Sequence, residues 1–389
     1  NRHEKLTLYC INGNEYKVKN HENQQTYTFT KVAEDLYKLV RLENPEGLAI
    51  KFTYNAIGQL ESITDTVGRL LNLDLDHAGR ITEVTARYEG EIRTLVAYRY
   101  NEEGDLTHII DALGKATIME YKNHLMIKKT DRNGQAFYWE YDGNTTGAKC
   151  IKTWGDDNIL SGTLEYHKGY NIITDSLGRE TVYYFNDDNL CTQVTDPLGN
   201  NIYHEYTEFG EFYRDIDEEG NLTGYSYDER GNLTGLHQPD GTVISFLYDE
   251  KDRLILSKYP KGGSIIRTFN EQDQLHAVIG LDGGVTSFEY NELGLINEIR
   301  DNAGNITQLV YDKDLNLTKM TLPNDAESIW KYDVWGRCLQ TKNAENHKQQ
   351  FFYDALDRIQ KIQQADNNVI HLKYNAYDEV IETKDQRNR

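Results

Sequence analysis

Apolar and polar positions alternate in short runs along this chain, and polar turn residues interrupt the runs about every ten residues. From Phe185 onward an aromatic residue recurs every 21 residues. Another apolar residue often lies two positions before it, as in the pairs Phe246/Tyr248 and Trp330/Tyr332. A spacing of two places both side chains on one face of a strand. The pattern therefore predicts short β-strands, with the aromatic residue at the end of one strand in each repeat.

Each repeat also contains two turn patterns. Asp or Asn usually follows the aromatic residue, and Gly or Asp usually lies four positions past it. This combination suits a tight hairpin turn, because the short side chain bonds nearby backbone and Gly accepts a positive φ. A second turn residue lies fourteen positions past the aromatic. These second-turn residues are Gly199, Gly220, Gly241, Gly262, Gly283 and Gly304, followed by Asn346, Asn367 and Asn388.

Two turns in 21 residues leave room for two short strands and exclude a helix, because β-branched and aromatic residues fill the gaps between turns. We interpret the recurring aromatic positions as a structural ladder of packing residues and not as catalytic groups. The ladder consists of Tyr54, Tyr100, Tyr121, Tyr141, Phe185, Tyr206, Tyr227, Tyr248, Phe269, Tyr290, Tyr311, Tyr332, Tyr353 and Tyr374.

The repeat divides the chain into two regions. Residues 1–50 lack it and form a non-repeat, β-rich opening segment, with a strand predicted at 36–42. Residues 51–389 carry the repeats, which are most regular over 185–389 and lose their register between Tyr141 and Phe185. The last copy reaches Asn388, and we expect the polypeptide to continue beyond it with more repeats.

A hairpin ribbon of this length predicts a curved wall. About twenty strands after residue 185, spaced about 4.8 Å apart, would span about 95 Å. Twisted open sheets rarely exceed about ten strands without curling. We therefore predict an all-β fold, a long antiparallel ribbon that coils into a hollow spiral or a barrel-like wall. Such a wall encloses more space than its own side chains fill, which favours a container.

Composition narrows the functional classes. A net charge of −21 argues against a nucleic-acid groove, because binding there requires neutralisation of phosphates. No apolar run reaches the length of a membrane-spanning helix. The four cysteines are scattered and read as reduced thiols. We find no convergent acid/base pair and no metal-ligand spacing, so we predict no catalytic, cofactor-binding or metal site.

The complete motif, Tyr-Asp/Asn-x-x-Gly-x-Leu-x-x-Ile/Val-x-Asp-x-x-Gly, resembles the YD repeat of Rhs proteins, which are related to the B and C components of Tc toxins and to teneurins. Residues 54–68, 100–114 and 185–199 are near-complete copies. The resemblance implies the shell region of a Gram-negative polymorphic toxin effector. In that family a β-cocoon encloses a C-terminal toxin domain, often for delivery by a type VI secretion system in interbacterial competition.

The resemblance also implies partners and a location. The partners would be the remainder of the shell, the enclosed toxin domain, and a secretion spike or an adaptor or chaperone protein. The protein would reside in the bacterial cytoplasm before export to a target cell. The self-cleaving protease core of the family, of the DPxGxxxGxNxYxYxxNP type, does not occur in this sequence. We therefore expect no enzyme activity from this chain.

Another class of function stays open. Aromatic repeats of about 20 residues also occur in carbohydrate- or cell-surface-binding arrays, which would give the chain a role in adhesion. Those modules rely on Trp-rich shallow sites, whereas this chain has four Trp. Adhesion of the teneurin kind would require disulfides, and the scattered cysteines argue against it.

Overall fold

The structure is a computed structural model that describes residues 5–385. The first half of the ribbon contains β1 (Leu6–Asn12), β2 (Glu15–Asn20), β3 (Thr26–Ala33), β4 (Leu36–Glu43), β5 (Ala49–Tyr54), β6 (Leu60–Thr64), β7 (Leu70–Leu75), β8 (Ile81–Tyr88), β9 (Glu91–Tyr100), β10 (Leu106–Asp111), β11 (Ala116–Lys122), β12 (Leu125–Thr130), β13 (Ala136–Tyr141), β14 (Cys150–Gly155), β15 (Gly162–His167), β16 (Tyr170–Thr174) and β17 (Glu180–Phe185).

The second half contains β18 (Cys191–Thr195), β19 (Asn201–Tyr206), β20 (Phe212–Ile216), β21 (Leu222–Tyr227), β22 (Leu233–His237), β23 (Val243–Tyr248), β24 (Leu254–Lys258), β25 (Ser264–Phe269), β26 (Leu275–Ile279), β27 (Val285–Tyr290), β28 (Ile296–Arg300), β29 (Ile306–Tyr311), β30 (Leu317–Thr321), β31 (Glu327–Tyr332), β32 (Cys338–Lys342), β33 (Lys348–Tyr353), β34 (Ile359–Gln363), β35 (Val369–Tyr374) and β36 (Val380–Lys384). The predicted turn residue Asn388 lies outside the described residues.

All 36 strands belong to one antiparallel sheet in which each strand pairs with the next along the chain. The sheet does not close on itself, because the first strand pairs with β2 and the last strand pairs with β35. Over residues 5–385 the one helical segment is a 3₁₀ turn at Asp156–Asn158. The prediction of an all-β hairpin ribbon is confirmed.

The register of each hairpin follows the turn chemistry. Tyr290 ends β27 and pairs with Ile296 of β28 across a five-residue turn. The register shifts by one residue between Glu289 and Tyr290, and Gly294 has a φ of +75°. This is a type I turn followed by a left-handed residue that forms a bulge, a common hairpin connection. Asp252, Asp273 and Asp357 occupy the left-handed position in other copies.

The two faces of the sheet differ in polarity. One face, which we name the ladder face, carries the recurring aromatic residues and the apolar residues two positions before them, such as Phe246 and Tyr248 in β23. Leu247 points to the other face, where it is 53% exposed. That other face holds mainly Glu, Lys, Ser, Thr and Gln. The ladder face therefore carries most of the large apolar side chains of a wall that is one sheet thick.

The sheet has two edges formed by its turns. The ladder edge contains the connections from odd to even strands, which follow the recurring aromatic residues, as after Tyr290. The opposite edge contains the connections from even to odd strands, such as residues 65–69 and 131–135.

Contacts between distant turns show that the ribbon coils. The β2–β3 turn contacts the β23–β24 turn, where Gln24 donates to the carbonyl of Lys251 at 3.2 Å. The β12–β13 turn contacts the β35–β36 turn, where Arg132 donates to the carbonyl of Ala376 at 2.6 Å. These contacts define a seam, in which the ladder edge of the second revolution lies on the opposite edge of the first.

The spacing of the seam contacts gives the size of the coil. Bonded seam residues are separated by 224 to 266 positions in the sequence. One revolution takes roughly 22 strands, so at about 4.8 Å per strand its path is roughly 105 Å long. A circular path of that length has a diameter of about 34 Å, wider than side chains from the wall can fill.

Candidate functional site: the ladder edge and the seam

The ladder tyrosines close the gaps between neighbouring hairpins. Pairing of β26 with β27 stops at Ala277 and Ser287, so the two strands are unpaired near the ladder edge. There the Tyr290 hydroxyl donates to the carbonyl of Leu275 at 2.8 Å. The same bond, at 2.6–2.9 Å, is made by Tyr54, Tyr100, Tyr141, Tyr206, Tyr311, Tyr332, Tyr353 and Tyr374.

The rings of consecutive ladder residues do not stack directly on one another. Consecutive ladder residues end every second strand, which places them about 10 Å apart. Among ring contacts between the described residues, none joins two consecutive ladder aromatics; Tyr206, for example, contacts Phe212 at 5.1 Å. At nine of the fourteen ladder positions the link between hairpins is therefore a hydroxyl-to-carbonyl bond, supported by apolar contacts on the ladder face.

The Asp or Asn that usually follows the aromatic organises the turn. The Asp354 carboxylate accepts hydrogen bonds from the backbone N–H groups of Leu356 and Arg358 at 2.9 and 3.0 Å. Its second oxygen accepts from the Arg358 guanidinium, with Nη2 at 2.6 Å. Asn, as at Asn291, makes the same backbone bonds. The Tyr-Asp pair thus joins a packing residue to a turn residue.

Arginines five positions past the aromatic connect successive turns. Arg358 pairs with its own Asp354 and also donates to Asp378 of the next turn at 2.8 Å. Its guanidinium lies 4.6 Å from the ring centre of Tyr374. Arg253 and Arg337 make the corresponding contacts. Each arginine therefore neutralises two carboxylates and covers one ladder ring, a cation–π geometry.

One end of the seam is formed by Arg132. Its guanidinium pairs with Asp111 of the neighbouring opposite-edge turn at 2.9 Å and with Asp378 of the second revolution at 2.7 Å. The backbone N–H of Ala376 donates to Asn133 at 3.1 Å, and Tyr377 donates to Gln135. Asp378 also pairs with Arg358 of the preceding ladder-edge turn. The β35–β36 turn therefore joins the ladder edge to the seam.

A second seam cluster surrounds Trp335. Its indole N–H donates to Glu91 at 3.2 Å, while the Arg93 guanidinium lies 4.7 Å from the ring centre. Arg93 also pairs with Asp357 at 2.6 Å. Nearby, Tyr88 donates to Asp314. Cations of the first revolution thus meet carboxylates of the second, although the Lys313–Glu89 pair has the reverse polarity.

The structure places the six second-turn glycines on the opposite edge, away from the seam. Gly199, Gly220, Gly241, Gly262, Gly283 and Gly304 all have positive φ, and a Cβ added at any of them would meet nothing within 4 Å. At the seam, by contrast, a Cβ on Gly294 would lie 2.7 Å from the Cβ of Glu46.

Burial raises the pKa of the hydroxyl of most ladder tyrosines, for example at Tyr248, Tyr290 and Tyr332. Burial, together with a 2.8 Å hydrogen bond to Asp215, raises the pKa of Tyr225 to about 12. Folding therefore favours the neutral phenol.

This shift predicts an alkaline transition. The stabilisation that comes from the raised pKa is fully present below the ordinary tyrosine pKa of about 10. It is lost as pH rises through the higher pKa of the folded protein. Ultraviolet titration of phenolate should show ladder tyrosines ionising above pH 10, together with loss of β-sheet circular dichroism. Simple titration of all tyrosines near pH 10, with the fold intact, would contradict a hydrogen-bonded ladder.

Two structural features were missed by sequence reasoning. Tyr166, near the end of β15, donates to the carbonyl of Cys150 at 2.8 Å, as ladder tyrosines do. The 3₁₀ turn before β15 and the short β15–β16 hairpin displace it from the 21-residue spacing. The connecting arginines were also missed, although Arg253, Arg337 and Arg358 recur at one repeat position.

Within residues 5–385, one group of residues has metal-ligand types, namely Glu103, Asp105 and His124 on two adjacent ladder-edge turns. The His124 Nδ1 lies 2.7 Å from Asp105 Oδ1. The hydrogen bond from His124 lowers the pKa of Asp105, and Asp105 raises the pKa of His124. An ion pair explains this geometry, and it joins adjacent turns as the arginines do elsewhere.

Two family models match the chain. The model described as Teneurin YD-shell matches residues 13–156. The model described as RHS Repeat matches residues 214–243 and 227–264. The first match covers the ladder bonds of Tyr54, Tyr100 and Tyr141, and the second covers the Tyr-Asp turns that follow Tyr227 and Tyr248. The chain is an Rhs/YD-repeat protein.

Curated relatives match half of this YD-repeat chain or less. It is 27% identical over 199 residues to the probable deoxyribonuclease RhsB of Dickeya dadantii, covering 50% of this chain and 14% of the relative. It is 21% identical over 179 residues to the toxin protein Tse5 of Pseudomonas aeruginosa, covering 40% of this chain and 14% of that protein. The alignments thus span about a seventh of the length of each relative.

Among solved structures, the YD-repeat chain is similar to the crystal structure of TcdB2-TccC3-TEV. The TM-score is 0.47 with 11% identity, covering 97% of this chain and 26% of that chain. Residues 5–385 of the YD-repeat chain contain no helix long and apolar enough to cross a membrane.

Proposed function

We propose that this YD-repeat chain is a wall segment of a shell that encloses a toxin cargo. The observation that carries the proposal is the seam, which joins two revolutions of a sheet one layer thick. The ladder edge of the second revolution docks on the opposite edge of the first. The wall is therefore continuous where the turns between β2 and β13 meet the turns between β23 and β36. A wall about 10 Å thick on a path roughly 34 Å wide leaves a space about 20 Å across.

The polar side chains of the wall have structural roles and do not form a reaction centre. Its Asp residues organise turns, its Arg residues link turns, and its Tyr hydroxyls bond backbone carbonyls. The relatives RhsB and Tse5 are named as a deoxyribonuclease and a toxin, and both are much longer than this chain. We infer that this chain contributes shell and no catalysis, while a further part of the polypeptide supplies the toxic activity.

Delivery is part of the same proposal. A shell that holds a toxin inactive protects the producing cell and must travel to its target. We propose synthesis in the bacterial cytoplasm, export by a type VI secretion system, and association with the rest of the shell and with a secretion spike or adaptor protein. The resemblance to Gram-negative Rhs effectors supports this route.

The experiment uses the complete polypeptide that contains this chain. Electron microscopy should show hollow particles, and the cargo domain should resist limited proteolysis. A double variant at the seam, Arg93→Glu/Arg132→Glu, would replace two attractive ion pairs with repulsive ones. We expect it to expose the cargo and to accelerate its digestion by about tenfold or more, since opening of the seam then governs cleavage.

The matched control is Arg214→Glu/Arg300→Glu. These arginines belong to β20 and β28 and pair locally with Glu205 and Glu298. The control should leave the cargo protected. Equal digestion of the unaltered protein and the seam variant, without hollow particles, would refute the container. Binding to polysaccharides by this chain would then favour the carbohydrate-binding alternative.

A further inference from the structure

The turn at residues 312–316 differs from the other five-residue turns of the repeat region at one position. The fourth residue of these turns has a positive φ, and in every other copy described between residues 51 and 385 it is Gly, Asp or Asn, as at Gly294 and Asp357. In this turn it is Leu315, with a φ of +66°. A left-handed backbone is unfavourable for leucine, because its Cβ crowds the backbone carbonyl. Such strain persists where surrounding contacts offset it, so it points to a role for the side chain.

Leu315 lies at the seam. It lines a groove of about 300 Å³ whose other walls all come from the first revolution. The apolar walls are Leu42 of β4, Leu48 of the β4–β5 turn and Val67 of the β6–β7 turn. Leu315 is half-buried there, whereas Leu293 of the preceding ladder-edge turn is 49% exposed. The strained residue is therefore also the one that faces an apolar groove on the other revolution.

The ion pairs of the seam are less selective for its register. Arg93 pairs with Asp357, and Arg132 pairs with Asp378. The two aspartates occupy the same repeat position, 21 residues apart. If the seam shifted by one repeat, Arg93 would meet Asp378 in place of Asp357 and a similar ion pair would form. The preference for one register is the difference in free energy between the two arrangements, and these pairs contribute little to that difference.

We propose that Leu315 determines the register at which the second revolution docks on the first. In the shifted arrangement Leu315 would lie one repeat earlier on the first revolution, beside the polar turn at residues 21–25. It would then lose its apolar contact with Val67 and keep its backbone strain. In the observed register the apolar contacts offset the strain. The proposal concerns how the ribbon coils and does not depend on what the shell contains.

The test measures opening of the seam in chain 1–389 by thiol labelling. Glu46→Cys places a thiol at the seam, against the turn that contains Gly294, and Cys10→Ser removes the exposed native thiol. Mass spectrometry then follows labelling of the peptide that contains residue 46. Leu315→Gly relieves the strained backbone and removes the side chain, so we expect labelling to accelerate about fivefold or more. The control Asn189→Gly makes the same backbone change at φ +60° in a turn away from the seam, and it should change labelling by less than about twofold.

Two more variants keep the test decisive. Leu315→Met retains an apolar side chain of similar size and should label within about twofold of the unaltered chain. Val67→Ala shortens the opposing wall and should accelerate labelling about threefold or more, which carries the test if Leu315→Gly does not fold. In the double variant Val67→Ala/Leu315→Gly the acceleration should be smaller than the product of the two single effects, because both remove one contact.

Three results would overturn the proposal. Equal labelling of the Leu315→Gly and Asn189→Gly variants would mean that the side chain has no role at the seam. Equal acceleration by Leu315→Met and Leu315→Gly would mean that any change in this turn disturbs the seam. Independent effects of Val67→Ala and Leu315→Gly would mean that the two side chains do not meet.

Discussion

Replacement of Tyr290 by alanine is expected to lower the free energy of unfolding by about 2–4 kcal/mol. The change removes a half-buried ring from the ladder face and leaves the carbonyl of Leu275 without its hydroxyl donor. It also reopens the gap between β26 and β27 beyond the Ala277–Ser287 pair. Urea denaturation should show a lower midpoint, and hydrogen exchange should show faster exchange confined to the strands around β27.

Two further variants separate the contributions of the residue. Tyr290→Phe keeps the ring and removes the hydroxyl, so we expect a loss of about 1 kcal/mol. Glu292→Ala changes an exposed residue of the adjoining turn and should stay within about 0.5 kcal/mol of the unaltered chain. Equal effects of Tyr290→Ala and Glu292→Ala would mean that the ladder does not support the wall.

The fold could be predicted from the sequence because its determinants are local. Phe288 and Tyr290 show the strand period, and Asn291 with Gly294 shows the turn. Each choice repeats in copy after copy, so the hairpin register is specified many times over.

The seam could not be predicted from the sequence. Arg93 and Asp357, or Arg132 and Asp378, are separated by more than 240 residues, and nothing in the repeat distinguishes them from other surface charges. Their contact depends on the number of strands in one revolution. That number results from the summed twist and bending of many hairpins, and small angular differences per strand accumulate. The candidate site therefore has two parts. The ladder edge could be predicted from the sequence, whereas the seam could be identified only from the structure.

A pair of glycine substitutions should report on the seam directly. Gly294 and Gly241 have nearly equal φ angles, +75° and +80°. Alanine at either position carries the strain of a left-handed residue, about 1–2 kcal/mol. A Cβ at position 241 meets open space, whereas at position 294 it would lie 2.7 Å from the Glu46 Cβ. Gly294→Ala should therefore cost about 1–3 kcal/mol more than Gly241→Ala, the usual range for overpacking.

A double-mutant cycle completes this prediction. Glu46→Gly removes the Cβ that obstructs position 294, so the double variant Glu46→Gly/Gly294→Ala should recover most of the additional loss. The same Glu46→Gly change combined with Gly241→Ala should be additive, because those two sites lie apart. Equal costs for the two alanine variants, with no coupling to Glu46, would mean that the second revolution does not rest on the first in solution. The wall would then be an open ribbon, and the proposal that it forms a closed container would lose its structural support.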